Sequence, residues 1–389
     1  MNEPKLRFPE FTDDWKLCKI SELCSVATGK SNTQDKVEDG EYPFYVRSPI
    51  VERSTKYLYD EEAIITVGDG VGTGKVFHYV NGKYDLHQRC YRMYNFSDEL
   101  NAHYFYYVFS KSFYKRVRSM TAKTSVDSVR MEMITDMKIS IPTIEEQQKI
   151  ASLFTELDNL IQSAEKELDG YRELKQGMLQ KMFPKKGETV PEIRFPEFSG
   201  DWEKRKLGDI SSLITKGTTP KDKSGTGDVN FIKVENINDF SGNITGMSKI
   251  SLEEHQGYLK RSQLQEGDIL FSIAGTLGRV TTVNKAILPA NTNQALSIIR
   301  LKEGNLEYVK TCLKGNAVTD FIRRNPTIGA QPNLSLEQVS NIEIEIPSEA
   351  EQKKIGEYFQ NLDNLIASQQ QELDGYKELK KGLLQQMFC

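Results

Sequence analysis

The residues that could do chemistry in this chain are few and scattered. Residues 67–75 are rich in glycine and end in lysine, a composition that can cradle phosphate. Asp69 and Val76, however, stand where a phosphate-binding loop requires glycine and serine or threonine. Thr73 stands where a dinucleotide-binding turn requires its third glycine. We therefore interpret this run as a glycine-rich hairpin.

Histidines and cysteines, the usual bases, nucleophiles and metal ligands, form no recognisable pattern. The four histidines have no metal-ligand spacing, and an isolated His87 is more typical of a structural or contact residue than of a general base. The five cysteines include no CxxC pair and, without an export signal, are typical of reduced thiols. We expect a non-enzymatic binding chain that itself holds no metal and no cofactor.

Length and composition set the broad class. A chain of 389 residues, 38% hydrophobic and 27% charged, is typical of a soluble protein of two or three domains. No apolar run approaches the roughly 20 residues that cross a bilayer. The first residues, MNEPKLRFPEF, contain no apolar segment of a secretory signal. We expect a cytoplasmic protein.

Positive charge is concentrated locally, although the net charge is −4. Residues 101–130 carry a local net charge of +5, interleaved with aromatic residues, and the corresponding part of the second half is also basic. Such a patch can be an ordinary solvated face, but it is also what a nucleic-acid backbone requires. The candidates for phosphate contacts are Lys111, Lys115, Arg116, Arg118, Lys123, Arg323 and Arg324.

Polar residues in predicted turns could read base edges. Asn, Gln, Arg, Lys, Ser and Thr present the donors and acceptors that the major groove of DNA matches. For each residue alone, an ordinary surface or turn role is the alternative. The first-half candidates are Lys30, Ser31, Asn32, Arg47, Lys75, His87, Gln88 and Arg89. The second-half candidates are Lys216, Thr218, Thr219, Lys221, Thr276, Arg279, Asn291, Asn293 and Gln294.

The elements that position these residues are organised by an internal repeat. Residues 141–183 and 346–388 align without a gap at an offset of 205, and 26 of these 43 residues are identical. Apolar residues alternate spacings of four and three in both copies, as in the seam of two packed helices. The predicted seam residues are Ile150, Phe154, Leu157, Ile161, Leu168, Tyr171, Ile355, Phe359, Leu362, Ile366, Leu373 and Tyr376. We expect the two helices to pack on each other; packing of each on its own domain is the alternative.

Glycines interrupt both predicted helices at matching positions. Gly170, Gly177, Gly375 and Gly382 each cost about 1 kcal/mol relative to alanine in a helix interior. Close approach of a neighbouring backbone would account for them.

A second repeat precedes each globular region. The letters RFPEF, followed by Asp-Trp, occur at residues 7–15 and again at 194–202, an offset of 187. The regions that follow share a pattern of strands, glycine-containing turns and one helical stretch, although their letters differ. The matched segments are strands at 62–67 and 268–273, strand-like alternation at 86–91 and 292–297, and helical stretches near 99–118 and 305–323.

The sequence therefore predicts an α+β chain with pseudo-two-fold internal symmetry. Two globular mixed α/β domains would be connected by two long helices in a coiled-coil-like pair. The predicted domains are 1–140 (head and first globular domain), 141–183 (first helix), 184–345 (linker, head and second globular domain) and 346–389 (second helix).

This arrangement resembles the specificity (S) subunit of type I restriction–modification enzymes. The resemblance covers essentially the whole chain and rests on IPxxxEQxKI leading to LDNLI and ELDGYxELK, each present twice, together with the doubled RFPEF motif. It implies two target recognition domains that each read half of a split double-stranded DNA site. It also implies that the two long helices are antiparallel, hold the two recognition domains apart and dock two methyltransferase (M) subunits, joined by nuclease-translocase (R) subunits. S-adenosylmethionine, ATP and magnesium would then belong to these partners. Gln369 in place of Ala164 at a seam position departs from the strict repeat.

A protein–protein scaffold is the alternative function. Its two globular regions would bind polypeptides, and its helices would dimerise. An apolar surface on the globular regions, in place of the basic stretch, would favour it.

Overall fold

The computed structural model describes residues 4–70, 72–120, 128–238, 242–324 and 333–388, without the side chains of residues 316, 317 and 324. The chain forms two compact units. Unit 1 comprises Met1–Ala164 with Leu373–Cys389, and unit 2 comprises Glu165–Glu372. Each long helix therefore contributes one segment to each unit.

The elements of the first half begin in unit 1. The strands are β1 Lys16–Lys19, β2 Ser25–Thr28, β3 Tyr42–Tyr45, β4 Val51–Ser54, β5 Tyr59–Val67, β6 Phe77–Leu86, β7 Cys90–Tyr94 and β8 Lys138–Ile141. The helices are α1 Ile20–Leu23, α2 Ala102–Met120, α3 Met131–Thr135 and α4 Ile144–Lys181.

The second half repeats this order with additions. The strands are β9 Glu203–Lys206, β10 Ser211–Lys216, β11 Val229–Ile232, β12 Ser248–Ile250, β13 Ile269–Ser272, β14 Val280–Thr282, β15 Ala290–Thr292, β16 Leu296–Leu301 and β17 Glu343–Ile346. The helices are α5 Leu252–Gln256, α6 Leu306–Lys314, α7 Asn316–Arg324, α8 Leu336–Ser340 and α9 Glu349–Gln386.

The two units share one sheet topology. In unit 1, six strands lie in the order β2-β7-β5-β6-β3-β4, with β3 parallel to β6. In unit 2, the same path is divided into β10-β16-β13-β14 and β12-β11-β15, with β11 parallel to β15. The long strand β6 thus corresponds to β14 and β15 together. A small antiparallel pair, β1 with β8 and β9 with β17, completes each unit.

Strand β5 shows how the sheet is covered on both faces. Ala63, Ile65 and Val67 pack in one cluster with residues of β6, whereas Ile64 packs against the aromatic side chains of α2. Successive side chains of a strand point to opposite faces, so a strand buried on both faces is a continuous apolar run.

One prediction of local structure was wrong, and another was right but did not include a break in the helix. Residues 87–89 and 293–295 are turns between strands, not continuing strand, because hydrogen bonds from the Cys90 N–H to the His87 carbonyl and from the Leu296 N–H to the Asn293 carbonyl close the chain there. The helical stretch of the second half is divided into α6 and α7, since Gly315 ends α6 with its N–H bonded to the Cys312 carbonyl.

Both units pack the start of one long helix against the end of the other. In unit 1, the Phe154 ring of α4 stacks on Phe388, just beyond α9, with centroids 5.4 Å apart. In unit 2, Phe359 of α9 lies 5.9 Å from Phe183, just beyond α4. Lys380 pairs with Asp158 in unit 1, and Lys175 pairs with Asp363 in unit 2. Within each unit the two helix segments are therefore antiparallel.

The predicted seam positions lie on the inner side of these helices. Ile161, Tyr171 and Tyr376 are half-buried, and the other nine are buried. The first turns of each helix also pack on the globular part of their own unit, because Ile150, Phe154 and Leu157 share one core with α2 residues. Both packing alternatives thus occur together. The predicted fold class is confirmed in its mixed α/β domains, its internal repeat and its two long antiparallel helices.

The helix glycines meet no neighbour within this chain. A Cβ built on Gly170, Gly177, Gly375 or Gly382 has no atom within 4 Å among the described residues. The expected close approach is therefore not made by the part of the chain that the structure describes.

Candidate nucleic-acid interface

A loop laid along a turn forms the polar edge of unit 1. The N–H groups of Lys30 and Ser31 both donate to the Leu86 carbonyl at 3.1 Å, and the Gln88 N–H donates back to the Ser31 carbonyl at 2.8 Å. The loop and the turn at 87–89 are thereby fixed to each other. The amide of Gln88 donates to Asn32, so the two side chains form one surface.

Unit 2 forms the corresponding edge with different residue types. The Gly217 N–H donates to the Leu296 carbonyl at 3.2 Å, and the Thr218 N–H donates to the Thr292 carbonyl at 2.9 Å. The turn at 293–295 then presents Gln294, whose side chain accepts from the Thr219 hydroxyl. Each unit therefore ends in a loop-and-turn edge that carries a bonded pair of polar side chains.

Both edges require glycine at the crossing of loop and turn. A Cβ on Gly29 would lie 2.2 Å from the Leu86 carbonyl oxygen, and a Cβ on Gly217 would lie 2.1 Å from that of Thr292. No side chain fits at such a distance, so glycine alone allows the loop to lie this close.

Charged and polar side chains surround the unit 1 edge. A shallow depression of about 420 Å³ is lined by Asn32, Thr33, Gln34, Arg47, His87, Gln88 and Arg89. Asp69 lies 3.5 Å from the Arg47 guanidinium and 3.8 Å from that of Arg89, which holds both cations beside the depression. Convergent amides and guanidinium groups of this kind suit the acceptor-rich edges of bases and phosphates.

His87 is a structural residue of the turn. It is buried, and its Nδ1 accepts the Arg89 N–H at 3.0 Å while its Nε2 lies 3.3 Å from the Thr33 hydroxyl. Nδ1 acts as an acceptor, so the proton of the neutral ring lies on Nε2. Burial lowers the pKa of His87, and the Arg47 cation lowers it further, which favours this neutral ring.

Most predicted contact residues lie at the surface. The exposed ones are Lys30, Arg47, Lys75, Gln88, Arg89, Lys111, Lys115, Arg118, Lys216, Thr219, Lys221, Thr276, Gln294 and Arg323. The half-buried ones are Asn32, Arg116, Thr218, Arg279 and Asn293. Lys123 lies outside the described residues, as does the side chain of Arg324.

Three residues that were predicted to contact bases are buried, so this prediction is corrected for them. Ser31, His87 and Asn291 are only 2%, 4% and 0% exposed, and each forms hydrogen bonds inside its own unit. The guanidinium groups of two other candidates donate hydrogen bonds to backbone carbonyls of this chain. Arg279 donates to the Val234 and Ile237 carbonyls at 3.0 Å each, and Arg116 donates to the Met133 carbonyl at 2.7 Å.

Other predicted residues have partners that leave them accessible. Lys111 donates to the Phe388 carbonyl at 2.9 Å at the end of the long-helix segment. Lys75 lies 4.9 Å above the Tyr114 ring, at the glycine-rich connection between the antiparallel strands β5 and β6. This connection agrees with the hairpin interpretation.

Sequence reasoning missed two sets of residues. Asp85 and Arg261 support the two edges but carry no motif, and only their long-range hydrogen bonds reveal them. Four exposed leucines on the long helices were also missed, although the repeat offset pairs them. They are Leu160 with Leu365 and Leu174 with Leu379.

Neither a metal-ligand cluster nor a membrane-spanning helix occurs among the described residues. Across residues 4–70, 72–120, 128–238, 242–324 and 333–388, no three His, Cys, Asp or Glu side chains gather as metal ligands would. In the same ranges, no helix combines the length and the apolarity of a membrane span.

A family model and several known proteins match this chain over most of its length. Residues 12–170 and 199–375 match the type I restriction modification DNA specificity domain. The type I restriction enzyme MjaVIII specificity subunit of Methanocaldococcus jannaschii is 24% identical over an alignment of 410 positions, which covers 97% of this chain and 92% of that protein. The EcoDI specificity subunit of Escherichia coli is 22% identical over 368 residues, which cover 88% and 80%.

A solved structure shares the fold. The S subunit of a type I restriction–modification system from M. genitalium matches with a TM-score of 0.68 at 17% identity, covering 100% of this chain and 99% of that chain. The fold and its paired edges thus define a two-domain recognition chain. The chain belongs to the family of type I restriction–modification specificity subunits, which are non-catalytic DNA-recognition subunits.

Proposed function

We propose that this specificity subunit reads a bipartite double-stranded DNA site, with one globular unit on each half-site. The observation that carries the proposal is the repeated loop-and-turn edge. Two units of unlike sequence fix Asn32 with Gln88 and Thr219 with Gln294 at the same point of one topology. A shared scaffold with different side chains is what two different half-sites would need.

The chemistry of each edge suits this role. Asn and Gln amides can bond adenine in a bidentate manner, and Arg bonds guanine in the same way. Exposed Lys30 and Arg89 in unit 1, and Lys216 and Lys221 in unit 2, would contact phosphates or bases beside the amides. Lys115 and Arg118 of α2 would add phosphate contacts.

The long helices would set the distance between half-sites. Helix α4 contains 38 residues, which makes it about 57 Å long. This length exceeds one turn of B-DNA, about 34 Å. In this proposal, base pairs between the two half-sites would remain unread.

The outer faces of the helices would dock two methyltransferase subunits. Leu174 is exposed between Gly170 and Gly177, at helical spacings that put all three on one face. Leu379 repeats this arrangement between Gly375 and Gly382. An exposed apolar side chain flanked by glycines allows a partner helix to approach closely, and two equal copies fit two equal partners.

The assembled complex would supply the catalysis. A methyltransferase must flip its target base out of the duplex, so the methyl donor and the pocket would belong to the M subunit. S-adenosylmethionine, ATP and magnesium would be bound by M and R subunits, and the complex would act on DNA in the cytoplasm.

Domain exchange tests the hypothesis that each unit reads one half-site. Residues 16–140 are replaced by the corresponding domain of another specificity subunit, the chain is expressed with its M subunit, and methylated sites are sequenced across the genome. One half-site should change while the other stays the same. A change in both half-sites would contradict one unit per half-site.

Helix length provides a second, independent test. Deletion of four residues at matched positions of α4 and α9 should change the number of unread base pairs and leave both half-sites intact.

The scaffold alternative is tested by retention of the M complex on duplex DNA. Retention that does not fall with increasing salt would argue against phosphate contacts.

A further inference from the structure

In each unit a fully buried polar side chain lies just before the turn of the edge. Asp85 precedes the turn at 87–89 by two positions, and Asn291 precedes the turn at 293–295 by two positions. Each is 0% exposed. Each also faces a phenylalanine of the neighbouring parallel strand, Phe44 opposite Asp85 and Phe231 opposite Asn291. The two residues therefore occupy the same place in the topology.

Asp85 ties three segments together. Its carboxylate accepts from the Ser31 hydroxyl at 2.7 and 2.9 Å, from the Ser54 hydroxyl at 3.3 Å and from the Leu86 N–H at 2.8 Å. A buried carboxylate is tolerated only when such donors replace water. Ser31 lies between Lys30 and Asn32, so the carboxylate holds the centre of the loop that forms the edge.

Asn291 does the equivalent in unit 2 with different partners. Its Nδ2 donates to the Leu259 carbonyl at 2.9 Å and to the Ser262 hydroxyl at 3.1 Å, and its Oδ1 lies 2.5 Å from His255 Nδ1. These bonds fix residues 259–262. Arg261, inside this segment, reaches the Thr218 hydroxyl at 3.4 Å and so connects it to the edge.

We propose that Asp85 and Asn291 are positioning residues for sequence discrimination, each acting on the half-site that its own unit reads. The inference rests on the proposed function. Neither side chain can touch DNA, because both are enclosed. Each instead fixes the polar groups that meet the bases. Discrimination depends on the direction of hydrogen bonds, whereas contacts to phosphate tolerate displacement. Loss of the buried anchor should therefore reduce base selectivity more than overall affinity.

The test measures selectivity at each half-site in the full complex with M. Wild-type methylated sites first give the two half-sites. Binding is then measured for the matched duplex and for duplexes with one substituted base in either half. For Asp85→Ala we expect the ratio of mismatched to matched Kd to fall roughly five- to tenfold at one half-site, about the contribution of one base contact. The other half-site should stay within about twofold, since separate positions act independently. Asn291→Ala should show the reverse assignment.

Conservative and control variants separate positioning from stability. Asp85→Asn keeps one acceptor oxygen for a serine hydroxyl and should recover part of the selectivity that Asp85→Ala loses. Asn291→Asp should not recover it, because a carboxylate would face the Leu259 carbonyl. Asp268→Asn is the matched control: Asp268 is equally buried and accepts two bonds from Arg300, at 2.7 and 2.8 Å. It should lower stability and leave both half-sites unchanged.

Each outcome is decisive. Equal loss of selectivity at both half-sites, or lower stability with full selectivity as in the control, would overturn the positioning role. If Asp85→Ala fails to assemble, Ser31→Ala replaces it, because that change removes only the loop contact; unchanged selectivity there would also overturn the role. A wild-type complex that reads no split site would overturn the proposed function itself, and is seen before any variant is compared.

Discussion

The guanidinium of Arg7 and the carboxylate of Glu146 form a two-pronged pair, with Nε–Oε1 and Nη2–Oε2 both 2.8 Å. Glu146 is fully buried in the first turn of α4. Arg194 and Glu351 form the same pair in unit 2, with the same two distances. The arginine of each RFPEF motif thus anchors the head to the start of the long helix of its own half.

Arg7→Ala should destabilise unit 1 strongly. The substitution leaves the Glu146 carboxylate buried without its charged partner, which typically costs about 3–5 kcal/mol. The free energy of unfolding is measured by urea denaturation. Arg7→Lys should recover only part of it, because a lysine cannot make the planar double contact.

The neighbouring ion pair of Lys149 with Glu10 is the control for this prediction. Both side chains are roughly half exposed, so Glu10→Ala should cost only about 0–1 kcal/mol. Equal losses for Arg7→Ala and Glu10→Ala would contradict the argument from burial.

The inner and outer leucines of α4 should behave differently. Leu157 is 5% exposed in the core of unit 1, whereas Leu160 is 45% exposed. Leu157→Ala should lower the free energy of unfolding by about 2–5 kcal/mol through loss of apolar contact and the cavity left behind. Leu160→Asp should change stability little and weaken M binding, measured by size-exclusion chromatography with M. Equal destabilisation by both changes would contradict the assignment of inner and outer faces.

The long helices were predictable because their signal is local and duplicated. The spacing of Ile150, Phe154 and Leu157 defines a helix face within a few turns, and the copy at offset 205 repeats it. The sequence pattern does not distinguish packing on the other helix from packing on the domain. Phe154 contacts both Phe388 and Tyr107, partners that lie far away along the chain.

The edges were only partly predictable, because their shape depends on distant residues. The alternation at 86–91 resembles a strand, but a hydrogen bond from the Cys90 N–H to the His87 carbonyl closes a turn there, and the distant Gly29 and Lys30 bond to its flanks. Asn291 has the right side chain for a base contact, yet Ser262 and Leu259 bind it in the interior. Burial of a polar residue follows from partners that no local pattern reveals.

Substitution of the helix glycines should have opposite effects on the stability of the chain and on its affinity for M. Gly170→Ala and Gly375→Ala should each stabilise the chain alone by about 0.5–1 kcal/mol, because alanine favours the helix and a built Cβ meets nothing. The same changes should weaken M binding by blocking close approach of a partner helix. Thermal unfolding and isothermal titration with M measure the two effects. Unchanged affinity for M would separate these glycines from the docking surface.

Lys314 provides a prediction of pH dependence. Its side chain is 11% exposed beside Lys175, and its ammonium group lies 3.7 Å from Asp363. Burial, with the neighbouring Lys175 cation, lowers the pKa of Lys314 from 10.5 to about 8, although Asp363 opposes the shift. Between these two values the unfolded chain binds more protons than the folded chain, so the contribution of Lys314 to stability rises with pH in this window. It is present above pH 10.5 and is lost as the pH falls through about 8.

The variant Lys314→Met isolates this effect. Other groups also titrate in alkali: burial raises the pKa of the Cys24, Cys90 and Cys312 thiols to about 12, which lowers stability as the pH rises above 9. The difference in unfolding free energy between wild type and Lys314→Met cancels these contributions. From pH 7.5 to 10.5 this difference should shift in favour of wild type by about 2–3 kcal/mol. A flat difference would show that Lys314 keeps its ordinary pKa and that solvent reaches its ammonium group in the folded protein.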